Sequence, residues 1–96
     1  MKYEYLASTG DKYKIVPFNG DIELRKEHIE VLQGKVTYVD KKTLRIETDL
    51  FYEVGQFVST GGYYIGKNRL DVFELSITDY PVLDKAEIIS RKEIER

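Results

Sequence analysis

Period-two alternation organises most of this chain. In "KYEYL", Tyr3 and Tyr5 share one face while Lys2 and Glu4 take the other, the mark of a half-buried strand. Gly10 and Asp11 in "STGD" then suit a turn. "KYKIVPF" resumes the alternation with Tyr13 and Ile15, and Pro17 places it at an edge or at a strand end. Asn19-Gly20 follows between two apolar segments, a short-range hairpin signal.

The stretch "DIELRKEHIEVLQGKVTYVD" changes phase. Ile22 and Leu24 alternate in one phase, Ile29 and Val31 in the other. A bulge, or a break between two strands at "RKEH", explains the shift better than a helix, because the apolar positions make no helical stripe. "GKVTYVD-KK-TLRIET" reads as a hairpin turning at Asp40–Lys42. "LFYEVGQFVST" supplies another strand with a bend at Gly55, and Gly61-Gly62 reads as a two-residue hairpin loop before Tyr63 and Tyr64. "GKN" is a further turn, and "RLDVFELSITDYP" a long strand with Phe73, Leu75 and Ile77 on one face and Leu70 and Val72 on the other. The tail has two readings. Asp84 with Glu87 and Ser90 with Glu93 fit helix-start capping boxes, whereas "AEIIS" fits a last strand.

About seven short segments with frequent turns predict a mainly β fold: a small antiparallel barrel or sandwich of OB or SH3-like size, with or without a short C-terminal helix. The 96 residues suit one domain, 1–96. Fifteen Lys+Arg stand against seventeen Asp+Glu, for a net charge of −2 with the signs interspersed. That balance argues against a protein that lives on phosphate contacts. No apolar run approaches a membrane span, and the N-terminus lacks the apolar region of a secretory signal. The chain has no cysteine. The expected location is the cytoplasm or an intracellular assembly.

The inventory for chemistry is thin. Without cysteine there is no thiol catalysis, and one histidine, His28, supports no multi-histidine metal site. A Ser-His-Asp triad would need His28, but the chain has no Gly-x-Ser-x-Gly elbow. In the charged context "RKEHIE" the expectation is a surface histidine. The acidic groups Glu47, Asp49 and Glu53, and Asp79 with Asp84, match no metal-ligand spacing. "TGGYYIGK" lacks the full phosphate-loop pattern. The reading is therefore not an enzyme, with no catalytic residue, cofactor or metal.

Binding remains. The candidate surface is Tyr63, Tyr64, Lys67, Asn68 and Arg69, where one tyrosine is expected to pack inward and the other to face out beside a cation. The leading reading is an interaction module for protein, including copies of itself. Its basis is the apparent second apolar face of "RLDVFELSI" and "GQFVST". The alternative is a nucleic-acid-binding small barrel using tyrosines with Lys35, Arg45, Lys67 and Arg69, which the charge balance disfavours.

Overall fold

Alternating β-branched and aromatic residues favour pleated, half-buried strands, and strands make up most of the described residues. The computed structural model describes residues 2–81, 83 and 85–94. Within these lie β1 (Lys2–Thr9), β2 (Lys14–Ile15), β3 (Asp21–Lys26), β4 (Glu30–Asp40), β5 (Thr43–Thr48), β6 (Val58–Gly66), β7 (Arg69–Ile77) and β8 (Ala86–Ile94). The described residues contain no helix: the last strand, not the helix, occupies 86–94. Of the two capping patterns, Asp84 lies outside the described residues, and Ser90 and Glu93 sit within β8.

All eight strands join one sheet in the order β2-β7-β3-β4-β5-β1-β8, with β6 also paired to β7. The β4–β5 hairpin turns where expected, after Asp40. The break at "RKEH" is a tight turn between β3 and β4, with Glu27 and His28 both at positive φ. Two pairings depart from the all-antiparallel expectation. β2 pairs β7 in parallel at Arg69–Leu70, and β3 does so at Glu74–Ile77. Asn19-Gly20 therefore joins two strands that both lie along β7, and is not a hairpin loop.

The apparent second apolar face of β7 also resolves differently. Gly61 pairs with Glu74, but Gly62 pairs with Val72, which leaves Phe73 as an extra residue on β7. Such a bulge rotates the strand and resets the alternation. Leu70, Val72, Leu75 and Ile77 consequently all enter one buried cluster with Tyr5, Leu24, Val36, Leu44, Ile46, Val58 and Ile88. Only Phe73 is left outside, 42 % exposed.

Segment 50–60, read from the sequence as a strand, is irregular up to Phe57 and joins β6 only from Val58. Buried polar groups hold it. The Tyr5 hydroxyl donates to the Leu50 carbonyl and accepts from the Tyr52 N–H, both at 2.8 Å. The Thr48 hydroxyl donates to the Gln33 carbonyl (2.6 Å) and accepts from the Leu50 N–H (3.1 Å). At its far end Gly55 N–H donates to the Ile88 carbonyl, and Ile88 N–H to the Gln56 carbonyl, both at 2.8 Å.

Burial holds the Tyr5 and Tyr52 phenols above their ordinary value of 10.0. The unfolded chain then releases these protons before the folded one does. Their contribution is whole below about pH 10 and is lost as pH rises toward the folded values. Tyr5→Phe is expected to cost about 1–2 kcal/mol at neutral pH, through two orphaned backbone partners. It should also flatten the alkaline loss of stability; urea melts at pH 7 and above pH 10 check both effects.

Candidate functional site

The five surface residues picked from the sequence fall on one projecting hairpin, β6–β7. Gly61 and Gly62 are not its loop. They lie within β6, and the turn comes at Gly66-Lys67-Asn68, all three at positive φ. The glycines answer a different need, close approach. A Cβ on Gly61 would lie 2.0 Å from Glu74 Oε2, and one on Gly62 would lie 2.4 Å from the Asp71 carbonyl oxygen.

Both tyrosines are exposed, Tyr63 at 67 % and Tyr64 at 60 %. The expected split into one inward and one outward ring fails because neither face of the hairpin is covered enough there to bury a ring. Tyr63 packs on Phe73, with ring centroids 5.3 Å apart, and Tyr64 on Tyr13 at 5.7 Å. The cations over aromatic rings among the described residues are Lys12 over Tyr13 and Arg91 over Phe51, not Lys67 or Arg69. Lys67 and Asn68 sit at the hairpin tip, and Arg69 opens β7 beside Lys14 of β2. Ile65, beside the tyrosines, is also exposed.

No charged residue occurs in Val58–Gly66, "VSTGGYYIG". Natural proteins usually guard a sheet edge with charge, proline or a covering element. Among the described strands β6 pairs with β7 alone.

A second apolar group lies at the opposite end of β6. Leu50, Phe51, Val54 and Phe57 on segment 49–57, with Ile89 on β8, are all exposed. Arg91 braces this group: its guanidinium lies 4.4 Å from the Phe51 ring centroid and donates to the Tyr52 carbonyl at 3.1 Å. No protein-family profile, curated protein or solved structure matches the chain. The functional reading therefore rests on these surfaces and on the polar cluster beside them.

That cluster is the part the sequence did not reveal. His28 is half-exposed, as expected, yet it is not a free surface histidine. Its Nδ1 bonds Glu74 Oε2, and its Nε2 lies 3.1 Å from Ser59 Oγ. With Nδ1–H donated to the carboxylate, the neutral ring accepts the Ser59 hydroxyl. Ser76 completes the set: its hydroxyl donates to Glu74 Oε1 and accepts from the His28 N–H, both at 2.8 Å. Glu74 is only 2 % exposed. The β3–β4 turn is tied a second time, to the residues just after β7, through Glu27. Thr78 Oγ1 donates to its carboxylate at 2.6 Å, which, with the Asp79 N–H at 3.2 Å, holds Glu27 below the ordinary carboxylate value.

Hydroxyl, imidazole and carboxylate stand here in the order that activates a serine nucleophile. Placement argues for a different role. Ser59 is 8 % exposed, inside a strand, where no turn lifts it toward a substrate. The cluster instead joins the β3–β4 turn, β7 and β6 through these bonds. We read it as a clasp that pins the β3–β4 turn across β7 onto β6 and fixes the base of the aromatic hairpin.

Proposed function

We propose that this protein is an interaction module that associates with copies of itself, as a component of a larger assembly, and has no enzymatic role. One observation carries the reading: the uncharged strand β6 projects Tyr63, Tyr64 and Ile65 into solvent with β7 as its single strand partner among the described residues. An exposed, uncharged edge bearing apolar side chains is a template for contact with another chain. Tyrosine adds large area at low rotamer cost. The finer architecture we infer is an incomplete small barrel. The Phe57–Glu87 bridge and the hydrogen bonds between Gly55–Gln56 and Ile88 support closure between the start of β6 and β8.

A Tyr64→Lys variant tests the reading, since a charge at an exposed edge should cost the fold little and the contact much. We expect sedimentation velocity to show the wild type associating and the variant at least tenfold weaker, with unchanged urea melts. Equal association of both would remove β6 from the interface.

A second reading has one observation in its favour. Lys12, Tyr13 and Tyr64 cluster near Lys14, Lys67 and Arg69, an aromatic and cationic surface suited to stacking on bases. Failure to bind oligonucleotides at low ionic strength removes it. No helix of the described residues is long and apolar enough to cross a membrane; cytoplasmic residence is part of the proposal and is checked by fractionation.

A further inference from the structure

The two exposed apolar groups stand at opposite ends of the same strand. Phe57 and Tyr63 are six residues apart along the chain, so at about 3.3 Å each roughly 20 Å separates the two groups. One molecule therefore cannot bring its own hairpin onto its own 49–57 segment. The two ends also differ in charge. Residues 12–14 and 63–71, around the hairpin, carry Lys12, Lys14, Lys67 and Arg69 against Asp71 alone. Segment 49–57 and the adjoining residues 87–91 carry Asp49, Glu53 and Glu87 against Arg91, which already contacts Glu53.

Resting on the self-association reading above, we propose that the occupant of the 49–57 surface is the β6–β7 hairpin of a second copy of this chain, joined head to tail. The basic, aromatic hairpin of one copy meets the acidic, apolar surface of the next. Tyr63, Tyr64 and Ile65 lie against Leu50, Phe51 and Val54, and Lys67 and Arg69 lie near Glu53 and Glu87. With one hairpin–socket contact between any two copies the arrangement is heterologous, so each copy keeps a free hairpin or a free socket until a ring closes or a filament grows. A two-fold dimer centred on the hairpin would bring hairpin cations against hairpin cations, and a reciprocal two-fold dimer, hairpin to socket twice, would stop at two copies. The socket is prepared for such a guest. Tyr5, Thr48 and Ile88 hold its backbone from within, so little ordering is left to do on binding.

The test mixes two variants. Tyr64→Lys with Ile65→Lys breaks the hairpin and leaves the socket; Glu53→Lys with Val54→Lys breaks the socket and leaves the hairpin. All four positions are exposed, and urea melts confirm that each variant folds. We expect wild type to form species of three or more copies, with mass falling as salt screens the charges. Each variant alone should be monomeric, and the equimolar mixture should give a 1:1 dimer and nothing larger. A wild type that stops at two copies would mean a two-fold contact, with or without a complex in the mixture, and would overturn the head-to-tail arrangement while leaving self-association intact. A socket variant that keeps the wild-type mass would overturn the choice of the 49–57 surface. A wild type that is monomeric throughout would overturn the underlying reading as well.

Discussion

Replacing His28 with alanine is expected to destabilise the fold by about 2–3 kcal/mol. Glu74 is nearly sealed from water and has two side-chain partners, His28 and Ser76. Removing His28 leaves this nearly sealed carboxylate short of a hydrogen bond to a charged group, a loss of roughly 1.5–3 kcal/mol. His28 is half-exposed, so water replaces only part of what it supplied. Glu74→Gln alone should cost somewhat less, because the amide keeps shape and most hydrogen-bonding capacity. The double variant decides whether the clasp acts as a unit. If it does, the two losses are strongly non-additive, by 1 kcal/mol or more. Additive losses in urea melts would mean that His28 and Glu74 contribute separately. An ester-cleaving role predicts something else: labelling of Ser59 by a fluorophosphonate, lost in His28→Ala. We expect no labelling.

Gly62→Ala is expected to cost about 3 kcal/mol, at the upper end of what overpacking does. The added methyl would meet the Asp71 carbonyl oxygen at 2.4 Å and the Val72 Cα at 2.9 Å. Both are backbone atoms of the paired strand and cannot swing aside. Elsewhere in a strand the same change gains several tenths of a kcal/mol by reducing the freedom of the unfolded chain. Gly61→Ala differs in mechanism. The three atoms nearest its methyl all belong to the Glu74 side chain, so the cost arises by pushing the carboxylate off His28. A Glu74→Ser background should therefore relieve Gly61→Ala and leave Gly62→Ala unchanged. Equal relief of both would show that the hairpin simply widens.

The sequence disclosed strands where alternation was clean and lost them where geometry resets phase. The β4–β5 hairpin was legible because Leu44 and Ile46 sit in strict period two with a polar turn before them. The break at His28 was legible as a phase change. The bulge at Phe73 was not, since a one-residue register shift leaves no local mark; "RLDVFELSI" read as two apolar faces when it makes one core. Gly61-Gly62 misled for a related reason. Two glycines serve equally for positive φ and for close approach, and only the partner strand shows which is needed. At the candidate surface, all five residues fell on one hairpin, but the expected pairing of tyrosine with Lys67 or Arg69 did not form. The clasp left one faint trace. Glu74 stands between Phe73 and Leu75 of β7, two residues before Ser76, and an acid set among apolar residues needs a partner. His28, forty-six residues away, could be matched to it only through the parallel β3–β7 pairing, which no periodicity predicts.

The most direct test of the account is the mass of the wild-type chain in solution. Light scattering on a size-exclusion column, over a hundredfold range of concentration at low salt, should give a mass that rises above the 11.2 kDa monomer toward three or more copies. A constant 11.2 kDa at every concentration would contradict it, and would leave the aromatic hairpin to a partner other than this chain.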